Sequence, residues 1–334
     1  MTELNSKDLD PSATEREIGY LVVGHGTRSR SGQDQVRAVF TQMTQLDGPC
    51  SLRGLPAELA FLELAEPDIP TAVERLARCG VRQLVVIPIL LFSAGHAQKD
   101  IPEAVEAAAS NFGIQVVRQC SSLCLDPTIV ALSAERFVRA VADLPALITP
   151  APSALTESNS PYVSHFSTEG IALALIGRGS SSDAATAAML QFAELRTQAT
   201  PVSWSSVGFI HAQRPSVDEA LDGLSATGLP WLVVQPHLLF EGELLNDLRS
   251  EVAYRQSFSP NQKWIITETL GASVHSGDTR LAAALCHLAL RPPAPHDHNS
   301  TDPTSSSICS RCHQAGNWCQ APRPTTHPRS QLIP

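Results

Sequence analysis

Much of this chain is written twice, and that constrains its fold more than any other feature. "PDIPTAVERLARCGVRQLVVIPILLF" begins at Pro67 and "PSVDEALDGLSATGLPWLVVQPHLLF" begins at Pro215. Both run from a proline through an amphipathic helical stretch to a glycine, then an apolar run, a second proline and Leu-Leu-Phe. One offset, 148 residues, separates Pro67 from Pro215, Gly80 from Gly228 and Pro88 from Pro236. Upstream, "YLVVGHGTRS" from Tyr20 matches "LALIGRGSSS" from Leu173; downstream, "GHAQKDIPEAV" from Gly95 matches "GELLNDLRSEV" from Gly242. Matches in the same order along both stretches point to duplication of one domain-sized unit. The 334 residues suffice for two such units.

Within copy one the apolar residues come in short continuous runs rather than alternating with polar ones. Such runs belong to strands buried on both faces, as in a parallel sheet. The pattern predicts strands at Gly19–Val23, Leu59–Leu62, Leu84–Ile87 and Gln115–Arg118. It predicts helices at Ser31–Thr44, Ile69–Arg78, Ile101–Asn111 and Pro127–Ala142. The order βαβαβαβα makes each copy a small doubly wound α/β domain, a parallel sheet flanked by helices. The expected organisation is a disordered N-terminal tail over 1–16, copy one over 17–144, and a Pro/Ser/Thr/Ala-rich linker over 145–168. Copy two then spans 169–290, and 291–334 is a tail whose composition cannot build a core.

Ligands of open parallel sheets bind beyond the carboxyl ends of the strands. Three polar residues of copy one fall at such ends. His25 follows the first strand, Glu63 follows the second in "LAFLELAEP", and His96 lies beyond the third, after "VVIPILLFSAGH". Glycines at 24, 26 and 95 carry no Cβ and let backbone or ligand approach closely. Two imidazoles and a carboxylate suit a borderline divalent metal such as Co, Ni, Fe or Zn. They also suit proton transfer, since histidine titrates near neutrality. The plainer reading, a capping or packing histidine, stays open for either histidine taken alone.

A net charge of −9 argues against bulk nucleic-acid binding, although a local arginine cluster can still serve a small anion. No apolar run reaches the roughly 20 residues of a membrane span. The polar start "MTELNSKDLDPSATEREIG" has no apolar core of a signal peptide, so a cytoplasmic location is expected. Of the eight cysteines, Cys50, Cys79, Cys120, Cys124 and Cys286 are scattered and read as reduced, mostly buried side chains. No phosphate-binding "GxxxxGK[ST]" loop occurs, so nothing points to ATP.

With "VGHGTRS", "AFLELAEPDIPTAVERLARCGVRQLVVIPILLFSAGHAQKDIP" and the repeat taken together, residues 17–290 resemble the class II tetrapyrrole chelatases. The resemblance is to the sirohydrochlorin chelatases, above all the long, two-copy cobaltochelatases, whose relatives include sirohydrochlorin ferrochelatases. It is strong in copy one and weaker in copy two. It implies two α/β halves facing each other across a cleft. It also implies insertion of a divalent metal, Co²⁺ foremost and Fe²⁺ next, into sirohydrochlorin without ATP, in cobalamin or sirohaem synthesis. By the same resemblance His25 is the metal-binding and proton-accepting histidine, His96 the second metal ligand and Glu63 a carboxylate at the substrate. Leu91, Phe92, Ser93, Ala94 and Gly95 would line the macrocycle. The chemistry agrees: insertion must remove two pyrrole N–H protons and strip ligands from the metal. Sirohydrochlorin carries many carboxylates, which suit Arg28, Arg30 and Lys99 near the rim. The plainer reading for these three is solvated surface charge.

Copy two departs from this pattern. Arg178 aligns with His25, His211 with Glu63, Glu243 with His96, and His237 with Ile89. An arginine stays protonated and serves neither as metal ligand nor as base. Copy two is therefore expected to lack a complete metal site, with Arg178 holding a substrate carboxylate across the cleft. His211 and Glu243 could still handle protons or incoming metal, and His237 is expected to be structural. The alternative is drift in a half kept for its fold.

The tail holds Cys309, Cys312, His313 and Cys319 in "ICSRCHQAGNWC". An iron–sulfur cluster, a zinc site with His313 or His327, a metal store with His287, His296 and His298 and no metal at all remain open. "CSRCH" also fits a c-type haem attachment signature, which the missing export signal argues against. A non-catalytic metal or tetrapyrrole carrier is the alternative from another class. A hydrolase is disfavoured because no nucleophile elbow is present. Two copies in one chain can form a single cleft, so a monomer is sufficient.

Overall fold

The computed structural model describes residues 17–48, 51–92, 99–123, 125–144 and 168–290. Copy one contains β1 (Ile18–Gly24), α1 (Arg30–Gln45), β2 (Ala57–Phe61), α2 (Ile69–Arg78), β3 (Gln83–Pro88), α3 (Ile101–Ser110), β4 (Gln115–Gln119) and α4 (Pro127–Val141). Copy two contains β5 (Ile171–Gly177), α5 (Asp183–Ala199), β6 (Trp204–Phe209), α6 (Val217–Ala226), β7 (Trp231–His237), α7 (Glu243–Phe258), β8 (Lys263–Ile266) and α8 (Arg280–Leu290). Every element expected of copy one forms, with ends displaced by two residues at most.

The strands make two parallel sheets, ordered β2-β1-β3-β4 and β6-β5-β7-β8. The orders are the same under the repeat. The central strands β1 and β5 are the most apolar because helices cover both their faces: Leu21, Val22 and Val23 are buried, as is all of Ile171–Gly177. Each fully buried Leu, Ile or Val adds about 1.5–3 kcal/mol. No helix among the described residues is long and apolar enough to cross a membrane.

The outer faces of the sheets have separate cores. α2 and α3 cover Leu21, Val23, Leu84 and Val86, while α6 and α7 cover Ala172, Ala174, Leu232 and Val234. The inner faces share one core. Val22 and Ile87 of one sheet and Leu173 and Val233 of the other belong to a single apolar cluster with α1, α4, α5 and α8 between them.

Within that layer the closing helices are exchanged. α4 ends copy one but packs on β7, β8 and α5; α8 ends copy two but packs on β3 and α1. Hydrogen bonds fasten both crossings. The Gln235 side chain donates to the Ser133 carbonyl at 2.6 Å, and Arg136 Nε donates to the Thr269 carbonyl at 3.0 Å. Arg118 donates to the Leu288 carbonyl at 2.8 Å, and the Gln42 amide to the Val274 carbonyl at 2.8 Å. Neither copy covers its own inner face alone, so the two rims are fixed relative to each other. Cys120 and Cys286 are buried in this layer, and Cys79 is exposed.

Candidate active site

β1 and β2 run parallel to their ends, where Gly24 stands opposite Phe61. His25 and Glu63 therefore leave adjacent strands side by side. The backbone fixes them: the Glu63 amide donates to the His25 carbonyl at 3.0 Å, and the Leu62 amide to the Gly24 carbonyl at 2.9 Å. Gly26 has φ +98°, and a Cβ there would sit 1.7 Å from the Glu63 carbonyl oxygen. Only glycine fits, which explains the second glycine of Gly-His-Gly.

His25 Nδ1 lies 3.4 Å from Glu63 Oε1; the imidazole side chain is 19% exposed and the carboxylate 51%. A carboxylate at this nitrogen favours the tautomer protonated on Nδ1 and makes Nε2 the basic nitrogen. The pair can thus receive a proton or offer a nitrogen donor, with Nε2 itself buried and the exposed Glu63 carboxylate as its route to solvent. The following turn is built to start a helix. The Ser29 amide donates to Thr27 Oγ1 at 3.1 Å, and the Ser29 hydroxyl accepts from the Gly32 amide at 3.3 Å. Arg28 and Arg30 are exposed on this turn, and Lys99 is exposed just before α3.

Copy two reaches the same rim. A Cβ on Gly32 would lie 2.3 Å from the Glu241 carbonyl oxygen, and the Glu241 amide donates to Gln35 Oε1 at 2.8 Å. The loop after β7 thus rests on the first turn of α1, and Arg249 holds the Glu241 carboxylate at 2.9 and 3.2 Å.

The copy-two strand ends repeat the backbone of copy one. Gly177 stands opposite Phe209, and the His211 amide donates to the Arg178 carbonyl at 2.9 Å. Gly179 has φ +82°, with a virtual Cβ 1.9 Å from the His211 carbonyl oxygen. Leu64 and Ala212 both take positive φ, and Glu66–Pro67 and Arg214–Pro215 are both cis. On this scaffold Arg178 stands in the position of His25, and His211 in that of Glu63; both are exposed. Glu243 is exposed as the first residue of α7.

Leu91 and Phe92 are half-buried and pack on the shared core. Ser93, Ala94, Gly95 and His96 lie outside the described residues, as do Cys309, Cys312, His313 and Cys319. Among the described residues no group of three or more His, Cys, Asp or Glu is placed to hold a metal ion.

His237 ends β7 at 2% exposure, between Phe192 (ring centroids 3.9 Å apart) and Phe92 (5.4 Å). Neither ring nitrogen has a hydrogen-bond partner among the described residues. Burial lowers its pKa to about 3, so the ring is neutral. Copy one carries the buried Ile89 at this position. The His237→Ile variant should be more stable by about 1–3 kcal/mol at pH 7.5 in urea unfolding, through removal of unsatisfied buried polar atoms. The gap should widen in acid. Below pH 6.5 the unfolded chain protonates this histidine and the folded chain does not, so the wild type loses stability as pH falls towards about 3. By pH 5 the added difference is about 2 kcal/mol. Equal stability of the two proteins at both pH values would rule this account out.

Comparison with known proteins bears on the same segments. The CbiX family profile matches residues 19–140 and 172–281, once per copy. The chain belongs to the CbiX family. Among relatives, the sirohydrochlorin ferrochelatase of Priestia megaterium is 28% identical over 277 residues, covering 81% of this chain and 91% of that protein. The sirohydrochlorin cobaltochelatase of the same organism is 26% identical over 239 residues, covering 70% and 67%. A solved structure described as SirB from Bacillus subtilis with Fe3+ superposes with a TM-score of 0.62 at 24% identity, covering 82% of this chain and 96% of that one. The CbiX fold thus extends over both copies.

Sequence reasoning missed the contact between Gln35 and Glu241 that joins the rims. The signal for it was weak: "LLFEG" stands in copy two where copy one has "LLFSAG".

Proposed function

We propose that this chain is a chelatase that inserts a divalent metal, Co²⁺ or Fe²⁺, into sirohydrochlorin without ATP. The observation that carries the reading is the His25–Glu63 pair at adjacent strand ends, with Nδ1 3.4 Å from the carboxylate. Membership of the CbiX family and relatives named sirohydrochlorin ferrochelatase and cobaltochelatase support it.

The pair supplies what insertion requires. The metal must shed ligands before it enters the ring, and two pyrrole nitrogens must lose protons. The His25 imidazole binds the incoming ion and, once the ion has passed to the ring nitrogens, accepts a pyrrole proton. Glu63 polarises the imidazole and relays the proton to water, for which its exposure suits it. His96 is read as the second metal ligand. Arg28, Arg30 and Lys99 add positive charge where an acidic macrocycle would lie.

The test is anaerobic insertion with the purified full-length chain at substoichiometric concentration, followed by the absorbance of the metallated ring. Many turnovers per chain without ATP are expected; a single stoichiometric uptake would make the protein a carrier. Nitrogen and oxygen donors do not separate Co²⁺ from Fe²⁺ by affinity alone. Relatives named for iron and for cobalt both match this chain, so neither ion is placed first. The ratio of kcat/KM for the two ions decides.

A further inference from the structure

We infer that the copy-two rim is an anion subsite, in which Arg178, with His211 beside it, holds a carboxylate of the macrocycle and sets its orientation. This rests on the chelatase reading above. The two rims share one backbone and differ in side-chain charge. Gly24 and Gly177 end their strands opposite Phe61 and Phe209, and the same bond follows in each copy, from the Glu63 amide to the His25 carbonyl at 3.0 Å and from the His211 amide to the Arg178 carbonyl at 2.9 Å. Both glycines that follow, Gly26 and Gly179, press on the partner loop in the same way. The duplicated scaffold therefore still presents two side chains at the mouth of copy two.

Those side chains have the opposite electrostatic sense. A neutral imidazole beside a carboxylate carries one negative charge and suits a cation. A guanidinium beside an imidazole carries one positive charge and suits an anion. The guanidinium neither ligates a metal nor accepts a proton, but its planar fork matches a carboxylate with two parallel hydrogen bonds. Among the described residues no carboxylate forms an ion pair with Arg178, whereas nearby Arg214 pairs with Glu219 and Arg249 with Glu241. The contact of Glu241 with the first turn of α1 ties the rims together. A flat polyacid between them then meets the His25–Glu63 pair at one strand end and the Arg178 guanidinium at the other. Copy one carries Arg28 and Arg30 as well, but on the turn beyond Gly26 rather than at the strand end, so only one orientation of the ring meets a guanidinium at the strand-end position.

The test uses the full-length chain. Metal-free sirohydrochlorin is titrated by fluorescence into wild type, Arg178→Ala and Arg178→Lys, and steady-state insertion is measured in parallel. Arg178→Ala should weaken Kd and raise KM about tenfold or more, as for one charge-assisted contact, while kcat falls less than about threefold. Arg178→Lys should recover part of the loss, since the charge stays and the fork goes. A Kd for Arg178→Ala within twofold of wild type overturns the inference and leaves copy two as a wall. The inference also fails if the variant binds the ring normally but escapes competition by inorganic phosphate, because the site would then serve a free anion. Binding without turnover in wild type would sink the chelatase reading alone, and the Kd comparison would still decide the subsite.

Discussion

The His25→Ala variant is expected to insert metal with kcat lowered about a hundredfold or more, the usual contribution of a positioned acid–base group. The same imidazole is asked to bind the ion and then take a proton, so its removal takes away both roles at once. KM for sirohydrochlorin should change little, because the imidazole contributes to the metal and proton steps more than to holding the ring. Glu63→Gln is the companion. It keeps the shape beside Nδ1 and removes the charge that favours the reactive tautomer, so its kcat should fall between wild type and His25→Ala. Initial rates at saturating Co²⁺ and again at saturating Fe²⁺ supply the check. An unchanged kcat in His25→Ala, with the fold intact by circular dichroism, would move the chemistry to other residues.

The rim was legible in the sequence because its signals are local and doubled. Gly-His-Gly and Gly-Arg-Gly mark the same strand end, and the steric need for Gly26 and Gly179 explains why the glycines recur while the residue between them changes. The strands were legible for a related reason. A strand covered on both faces must be apolar throughout, and Leu21–Val23 and Ile171–Ile176 are. The exchange of α4 and α8 left no such mark. Ile129, Leu132, Phe137 and Val141 form a stripe that says a face is buried, not which sheet buries it. Arg136 and Arg196 interrupt such stripes and read as surface residues, yet they are 1% and 0% exposed, and Arg196 lies over the Phe137 ring at 4.9 Å. Two-copy length, which pointed to cobalt, also fits a relative named ferrochelatase that this chain covers over 91% of its length. Length therefore does not choose the ion.

The largest effect on stability is expected at that seam. Arg136 projects from α4 into copy two, where Nε donates to the Thr269 carbonyl at 3.0 Å and Nη2 to the Leu270 carbonyl at 3.1 Å. Glu135 and Asp278 stand 3.6 and 3.7 Å from its nitrogens. Burial pulls its pKa down and the carboxylates pull it back, so the guanidinium remains charged. Arg136→Ala leaves two buried carbonyls, and the partly buried Asp278, without this donor, and should cost about 3–5 kcal/mol in urea unfolding. Arg139→Ala is the control. Its guanidinium is 56% exposed, pairs with Glu135 at 2.6 Å one turn away and donates one hydrogen bond to the Ser273 hydroxyl at 3.1 Å, so its loss should cost about 1 kcal/mol, well below that of Arg136. The mode of unfolding is as informative as the midpoint. Of the four tryptophans, Trp204, Trp231 and Trp264 lie in copy two and Trp318 in the tail, so their fluorescence does not report copy one directly. If the inner core is shared, a substitution in copy one must move the fluorescence transition and the circular dichroism transition together. A fluorescence midpoint left unmoved by Arg136→Ala would mean that the copies unfold independently. The rims would then be held together by their contact at Gln35 and Glu241 rather than by the exchanged helices.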